Sequence, residues 1–427
     1  MAAPLTTLHA TDVDLSTPEF WLQPTAVREA AFAALRREAP MSFHKEFEPP
    51  PEIPLPRGPG YWAVTRHADI LEASRNADVY CSGRGTNIPD LPESFNEFFG
   101  SMINMDHPRH GRLRRIVSRG FTPRQLGRLE EEVQRRARQT IDRVIDKGQC
   151  DFVTEIAAPL PLEIICDMMG IPESQTGFVF EKTNVILGLG DPEYVPPGTN
   201  VLMAALTAGQ ALATLMNDLA AERRKSPKDD LTSALLAAEL EGESLTQQEL
   251  ASFFVLLVAA GNETTRNAIS HGMKALSDFP DERRKWAADF EGVAPTAIEE
   301  IVRWASPVIH FRRTATRDTE LGGQKLRAGE KVVLWYNSGN RDEAAFPDPY
   351  RFDVMRTPNE HVGFGGPGPH HCLGTNLARR EMRVMFREIL TRLPDLEITG
   401  QPEMLRSNFI HGIKRMPCAF TPGGRGR

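Results

Sequence analysis

The 427-residue chain has few cysteines, no long apolar run and no excess of positive charge. An odd number of widely spaced cysteines favours reduced thiols over a disulfide framework. The longest apolar stretch, Ala251–Gly261, is far shorter than the roughly 20 residues that a membrane helix needs. The formal net charge of −7 argues against nucleic-acid binding, and residues 1–7 lack a secretory pattern. We therefore expect a cytoplasmic enzyme without nucleic-acid or integral membrane contact. The five cysteines are Cys81, Cys150, Cys166, Cys372 and Cys418.

Helical patterns dominate the chain, and no internal repeat or long linker divides it. Thr246-Gln247-Gln248-Glu249 is a capping-box pattern, and it predicts a long helix that ends near Asp278, before Phe279-Pro280. Strand patterns occur at Tyr61–Thr65, Glu320–Leu326 and Lys331–Tyr336. The expected fold is mainly α, one helix-rich domain over residues 1–427 with a small β-sheet portion. We expect flexible ends, at about residues 1–18 and 421–427.

The segment from Gly363 to Gly374 is the strongest chemical signal in the sequence. Glycines and prolines there form a loop that ends in His370-His371-Cys372-Leu373-Gly374, just before a helical pattern. A helix start favours a thiolate over a thiol, and Gly374 would let a planar cofactor approach the backbone. Alone, the loop is also compatible with a small buried cysteine or part of a zinc site. Adjacent ligands converge poorly on one zinc ion, and no spaced partner lies nearby.

A second signal lies inside the predicted long helix, at Gly261-Asn262-Glu263-Thr264-Thr265. Polar residues in mid-helix are often a solvent-facing turn, but here the preceding turns are apolar on all sides and indicate burial. Oxygen activation uses this combination: space at Gly261, a hydroxyl at Thr264 and a carboxylate at Glu263 to relay protons. Glu263 and Thr264 are therefore the candidate catalytic residues.

Two charged constellations accompany these signals. Glu300 and Arg303 are three positions apart on one helix face, and their apolar neighbours favour a buried pair over a surface one, with Arg351 as a third member. His110 and Arg114 are four positions apart in a basic run that is either a solvated surface helix or a cationic face aimed at an anionic cofactor group. Arg313 could supply another cation to such a face.

From His110 and Arg114 through Glu263-Thr264 and Glu300–Arg303 to the Cys loop, the motifs and their order resemble those of the bacterial cytochrome P450 haem-thiolate monooxygenases, and the resemblance covers nearly the whole length. It implies haem b, iron protoporphyrin IX, buried between the long helix and the helix after the Cys loop. Cys372 would be the iron ligand. The implied cofactor-binding residues are His110, Arg114, Gly261, Arg313, Phe364, His370, Cys372 and Gly374. Glu300, Arg303 and Arg351 match a structural triad that braces the Cys loop.

The Cys loop departs from the common family pattern by one residue. Phe364 lies eight positions before Cys372, where seven is usual. The longer loop is similar to that of actinobacterial enzymes that hydroxylate terminal methyls of branched lipids and sterol side chains. The resemblance implies terminal hydroxylation of a methyl-branched fatty acid, isoprenoid or sterol side chain. The alternative is a monooxygenase that tailors a polyketide, terpene or macrolide.

The resemblance also implies a hydrophobic substrate pocket and an external electron source. Without a nicotinamide or flavin fingerprint in the chain, electrons would come from a ferredoxin with an NAD(P)H-dependent ferredoxin reductase. A basic docking patch for it would contain Arg109, Arg112, Arg115, Arg119, Arg379 and Arg380, although simple solvated arginines explain them equally well. A haem carrier and a peroxide-driven haem enzyme are alternatives from other classes. The expected pocket residues are Ile88, Leu91, Phe95, Phe98, Phe99, Ile103, Val258, Val308, Ile309, Phe409 and Ile410.

Overall fold

A computed structural model describes residues 8–48, 57–119, 123–240 and 242–423 of the protein. Helices account for most of these ranges, which confirms the predicted mainly α fold. The helices are α1 (Pro18–Trp21), α2 (Thr25–Glu38), α3 (His67–Arg75), α4 (Glu93–Gly100), α5 (Arg109–Arg119), α6 (Pro123–Val144), α7 (Pro159–Met169), α8 (Thr176–Leu187), α9 (Val201–Lys225), α10 (Leu231–Ala237), α11 (Gln247–Asp278), α12 (Pro280–Ala288), α13 (Phe290–Ala305), α14 (Tyr336–Gly339) and α15 (Thr375–Arg392).

The strands are short and form small sheets. They are β1 (Met41–His44), β2 (Tyr61–Val64), β3 (Tyr80–Cys81), β4 (Gln149–Asp151), β5 (Glu239–Leu240), β6 (Glu243–Ser244), β7 (His310–Ala315), β8 (Thr319–Leu321), β9 (Gln324–Leu326), β10 (Lys331–Trp335), β11 (Glu397–Ile398), β12 (Glu403–Met404), β13 (Ile413–Arg415) and β14 (Pro417–Ala419). The largest sheet has the order β1-β2-β10-β7-β3. The run predicted as one strand at Glu320–Leu326 is a hairpin, because Gly322 and Gly323 adopt φ values of 55° and 82° and turn the chain.

Helix α11 crosses the centre of the helical part. The Thr246 hydroxyl accepts from the Glu249 backbone N–H at 3.1 Å, and the Glu249 carboxylate accepts from the Thr246 N–H at 2.9 Å. This reciprocal cap confirms the predicted start, and the helix ends at Asp278 as expected. Helices α4, α7, α9, α13 and α15 all pack against α11, so its middle turns lie inside the protein.

The C-terminal strands return to the helical part. β14 pairs with β4 and β11, which places Cys418 opposite Cys150 with 3.5 Å between the two Sγ atoms. Lys414 in β13 reaches the connection between α8 and α9, where its Nζ lies 3.2 Å from Asp191 Oδ2. Within the described ranges, no helix is long and apolar enough to span a membrane. Residues 1–7 and 424–427, part of the ends predicted to be flexible, lie outside those ranges.

Candidate active site

Cys372 lies at the end of a loop that enters α15. Its backbone N–H donates to the Phe364 carbonyl at 3.0 Å, which closes the loop despite the extra residue. Cys372 is exposed, whereas the other four cysteines are buried or half-buried. Protein atoms still surround its sulfur, so burial raises the pKa of the Cys372 thiol while the Gly374 N–H and the Thr375 hydroxyl act in the opposite direction. Cys372 is therefore accessible to a bound group although protein atoms lie close to its thiol.

The extra residue of the Cys loop is accommodated by glycines that pack on α3. Gly365 and Gly368 adopt φ values of 78° and 147°, which L side chains rarely adopt. A Cβ at Gly366 would lie 2.6 Å from Ser74 Oγ, and one at Gly368 would collide with the Ser74 carbonyl. The loop thus lies directly against α3. Sequence reasoning did not identify Ser74, because nothing in the sequence links position 74 to position 368.

The predicted cationic residues form one cluster around His370. The His110 and His370 rings lie 4.3 Å apart, and Arg114 donates to the Pro369 and His371 carbonyls at 3.0 and 2.7 Å. Burial, together with the charges of Arg313, His110 and Arg114, lowers the pKa of His370 to about 2. In the part of the chain that the structure describes, no carboxylate forms an ion pair with Arg114 or Arg313. The cluster fits an anionic group such as a pair of carboxylates.

One face of α11 is accessible although the helix is internal. Val258, Ala259, Asn262 and Glu263 are buried, whereas Ala260 is exposed and Gly261 and Thr264 are half-buried. Positions 260, 261 and 264 share a helix face. The Thr264 hydroxyl donates to the Ala260 carbonyl at 2.6 Å. Small residues and one hydroxyl therefore line this face, as a site for a planar cofactor and a small gas molecule requires.

Glu263 does not share this accessible face. Its side chain is buried in an ion pair with Arg266, and it also accepts from Asn267 Nδ2 at 3.0 Å. Arg266 in turn donates to Asn184 Oδ1 of α8 at 3.3 Å. The residue expected to relay protons is thus held by its neighbours on the side of α11 that meets α8.

The Glu300–Arg303 pair is fully buried, with Nε and one NH group of Arg303 each 2.7 Å from a Glu300 oxygen. The assignment of Arg351 as the third member was wrong. Arg351 is exposed and contributes only its carbonyl, which accepts from Arg303 at 3.4 Å. Arg356 takes the expected position, with its Nε 3.2 and 3.1 Å from the two Glu300 oxygens. Because the Pro349–Arg356 segment bends back over α13, the later arginine is the one that reaches the carboxylate.

Glu299, next to Glu300, was missed by sequence reasoning. Its carboxylate accepts from His361 Nε2 at 3.0 Å and from Arg379 Nε at 2.6 Å. Burial alone would raise the pKa of Glu299, but these hydrogen bonds lower it to about 2. Arg379 also lies over the Phe364 ring, 5.1 Å from its centroid. Glu299 and Glu300 thus brace opposite sides of the segment leading to Cys372, and only the adjacent acids in the sequence hint at this.

The predicted pocket residues fall into two groups. Leu91, Phe95, Phe98, Phe99, Ile103, Val308 and Phe409 are half-buried, as expected for side chains that line a space. The four others are buried among neighbouring side chains. Ile88 and Ile309 belong to a core cluster around Trp21 and Trp335, and Val258 belongs to a separate core cluster. Ile410 is buried where it pairs with Val308 in an isolated β-bridge.

An aromatic cluster joins α4 to α9. The Phe95 and Phe99 ring centroids lie 4.5 Å apart, and those of Phe98 and Phe99 lie 4.9 Å apart. A Cβ at Gly209 of α9 would come within 2.6 Å of Phe98 and 2.9 Å of Phe99. The glycine therefore lets α9 approach the phenylalanines closely, and α9 covers this apolar region.

The arginines expected to form a docking patch are largely paired. Arg109 NH1 lies 2.6 Å from Glu97, Arg112 NH1 lies 2.8 Å from Glu249, and Arg379 binds Glu299. Arg380 NH2 lies 3.8 Å from Glu130, and Arg115 is exposed. The Arg119 side chain lies outside the described part of the structure. Internal ion pairs thus lower the net positive charge of this surface.

This geometry is compatible with the haem-thiolate class of protein that the sequence motifs resemble. The Cytochrome P450 family profile matches residues 198–405. The solved structure of Mycobacterium marinum cytochrome P450 CYP268A2 in complex with pseudoionone superposes with a TM-score of 0.91 at 46% identity, covering 96% of this chain and 98% of that one.

Curated relatives extend the likeness along nearly the whole chain. The methyl-branched lipid omega-hydroxylase of Mycobacterium tuberculosis H37Rv is 51% identical over 413 residues, which is 96% of this chain and 95% of the relative. The steroid C26-monooxygenase of Rhodococcus jostii is 40% identical over 419 residues, 97% of this chain and 86% of the relative. The chain belongs to the cytochrome P450 family. It is a monooxygenase of that family, as its sequence motifs predict.

Proposed function

We propose that the protein hydroxylates the terminal methyl of a methyl-branched lipid chain, an isoprenoid or a sterol side chain, in the cytoplasm. The observation that carries the proposal is the 51% identity to a methyl-branched lipid omega-hydroxylase over 96% of the chain. The half-buried aromatic and aliphatic side chains between α4, α9 and Phe409 support a hydrophobic substrate.

Haem b is the cofactor, held by residues that fit it. Cys372 would supply the thiolate ligand, and His110, Arg114, Arg313 and His370 would bind the propionates. When bound, a haem with a thiolate ligand activates O2 so that one oxygen atom enters a C–H bond. The exposed Cys372 and the two arginines Arg114 and Arg313, which have no ion-pair partner among the described residues, support this role. A Cβ at Gly374 would meet nothing closer than 3.9 Å, so its open backbone and the Phe364 ring are suited to flank a planar ring, whereas at Gly261 the space of a Cβ is filled by Ile165.

Thr264 and Glu263 deliver protons to the site. The Thr264 hydroxyl lies on the accessible face of α11, where it hydrogen bonds to the Ala260 carbonyl at 2.6 Å and can turn to donate into the site. Glu263, on the adjacent face, resupplies Thr264 when its carboxylate leaves Arg266. Overall, one lipid C–H, O2, two electrons and two protons give a lipid alcohol and water, and the electrons reach the protein from a ferredoxin and its NAD(P)H-dependent reductase.

Terminal selectivity requires the chain to enter end-on. A terminal C–H bond is stronger than its internal neighbours, so the end of the chain reacts first only if the pocket holds it closest to the reacting centre. Phe98, Phe99, Val308 and Phe409 are the side chains we assign to that task.

Ligand titration of the ferric haem protein tests the substrate class. Methyl-branched fatty acids, isoprenoids and sterol ketones should shift the Soret band from low to high spin, and turnover should give the terminal alcohol. Straight-chain fatty acids of equal length are the matched controls. If every lipid leaves the band unchanged, the lipid assignment is wrong.

Two variants test the chemistry. Cys372→Ser should abolish the red-shifted Soret band of the reduced CO complex, which reports a thiolate ligand. Thr264→Ala should divert electrons from alcohol to hydrogen peroxide. If the protein were a haem carrier, wild type and Thr264→Ala would bind ligand equally well, and neither would produce alcohol. If it were a peroxide-driven enzyme, its activity would not depend on Thr264.

A further inference from the structure

Glu263 and Arg266 form an ion pair whose position differs from that of an ordinary helix-surface pair. They are three residues apart on α11, and their side chains are only 3% and 4% exposed. The carboxylate also accepts from Asn267 Nδ2 at 3.0 Å. A buried charge is costly unless it is paired and hydrogen bonded, so Arg266 sets where the Glu263 carboxylate rests.

Arg266 has contacts beyond α11 as well. Its NH1 donates to Asn184 Oδ1 at 3.3 Å, and its guanidinium lies over the Phe180 ring, 5.7 Å from the centroid. Asn184 and Phe180 both belong to α8. The Tyr194 side chain, in the connection that follows α8, is close enough for Arg266 and Glu263 to act on its pKa, which burial raises. Arg266 therefore joins α11 to α8 and to the α8–α9 connection.

Asn267 provides a second attachment for the same carboxylate. Its Oδ1 accepts from the Ile413 N–H at 3.1 Å, and Lys414 is paired with Asp191 of the α8–α9 connection. Both groups that hold Glu263 are thus bonded to segments that meet over one side of α11. Among the described residues, Arg266 on the same helix and Tyr194 on the connection are titratable groups close to this carboxylate.

We propose that Arg266 is a positioning residue that holds Glu263 in a buried ion pair and ties that pair to α8 through Asn184 and Phe180. These contacts fix where the Glu263 carboxylate rests relative to Thr264. This rests on the proposed relay function of Glu263 and Thr264, and it adds the residue that links the relay to the helix packed against α9 and α11.

The test compares Arg266→Gln, Arg266→Lys and Asn184→Ala in the haem-loaded enzyme. Arg266→Gln should lower the alcohol formed per NADPH about tenfold, within the range for disturbed proton transfer, with lipid affinity changed less than about threefold. Arg266→Lys should restore part of the coupling because it keeps the charge. Asn184→Ala leaves the ion pair in place and should lower coupling about threefold by releasing it from α8.

Arg223→Gln is the matched control, since Arg223 forms an equally buried ion pair with Asp230 away from α11. If Arg266→Gln and Arg223→Gln reduce coupling to the same degree, Arg266 has only a structural role and the proposal is wrong. If Asn184→Ala behaves as wild type, the link to α8 is wrong.

Infrared spectroscopy separates this proposal from the proposed function. In Arg266→Gln a protonated-carboxyl stretch should appear in addition to that of buried Glu381, and Glu263→Gln/Arg266→Gln should lose this additional band, because a buried carboxylate without its cation takes up a proton. No such band in Arg266→Gln overturns the ion-pair assignment even if lipid turnover is normal. The band together with no lipid alcohol from wild type would instead overturn the proposed function.

Discussion

Arg356 Nε lies 3.1 Å from Glu300 Oε2, so the buried carboxylate that binds Arg303 is shared by two arginines. Asn359 Nδ2 adds a contact at 3.2 Å, and the Asp353 N–H adds another at 3.0 Å. Glu300 thus organises the chain over about sixty positions, from α13 to the approach to the Cys372 loop. Glu300 therefore fixes the conformation of the segment that leads to the Cys372 loop. Arg356 lies outside α13 and connects that segment to Glu300.

Replacing Arg356 should therefore cost far more than replacing Arg351. Arg356→Ala leaves part of the Glu300 charge uncompensated in a buried position, and we expect a loss of about 3 kcal/mol in the free energy of unfolding, with reduced haem content. Arg351→Ala, at an exposed position, should stay within about 0.5 kcal/mol of wild type. Urea unfolding measures the stability of both variants. Equal losses in the free energy of unfolding would mean that Arg351 belongs to the triad.

Two glycines of the Cys loop should respond differently to alanine. A Cβ at Gly374 would meet nothing closer than Cys372 Sγ at 3.9 Å, so Gly374→Ala should leave the stability of the haem-free protein unchanged but reduce haem retention, if a planar ring lies against the backbone there. Gly368→Ala should destabilise the protein with or without haem, because its φ is 147° and its Cβ would meet Ser74. Thermal unfolding and haem content, measured side by side, distinguish the two effects.

Glu381 on α15 should make the protein less stable as the pH rises from about 4.5 to 8. Burial raises the pKa of Glu381 to about 8, with a hydrogen bond from Thr265 opposing the shift. The folded state thus keeps a proton that the unfolded chain loses above about pH 4.5, so stability falls as pH rises from 4.5 to 8. Glu381→Gln should remove this loss and gain about 3 to 4 kcal/mol over wild type between pH 5 and 8. Exposed Glu397→Gln, the control, should show no such gain.

His310 should have the opposite pH dependence. Burial lowers the pKa of His310 to about 4, while its contact with the Asn408 carbonyl raises it. Below pH 6.5 the unfolded chain takes up a proton that the folded protein does not, so stability is present above 6.5 and is lost as pH falls toward 4. Between pH 8 and 4.5 this one ring accounts for about 2 to 3 kcal/mol of the free energy of unfolding. His310→Gln should flatten the acid limb by that amount, and exposed His9→Gln should leave it unchanged, as followed by chemical denaturation at each pH.

Local sequence predicted those parts of the protein that local forces determine. The α11 boundaries follow from one capping box and one proline, and the Cys372 loop is a continuous stretch of twelve residues. The choice between Arg351 and Arg356 was not local, because it depends on how an irregular segment folds back onto α13. The burial of the expected pocket residues was not local either. Val308 and Ile309 are adjacent and both apolar, and only tertiary packing determines that Ile309 is buried in the cluster with Trp335 while Val308 stays half-buried.

The position of the C-terminal strands predicts the effect of truncating mutations in the gene. A nonsense or frameshift mutation near residue 400 would spare every motif from His110 to Cys372 and the whole of α15. It would nevertheless remove Ile413 and Lys414, which bond to Asn267 and Asp191, and the β14 partner of β4. Such an allele would encode all the sequence signatures of a working enzyme and should behave as a null. Gene surveys that score the Cys motif alone would count it as functional.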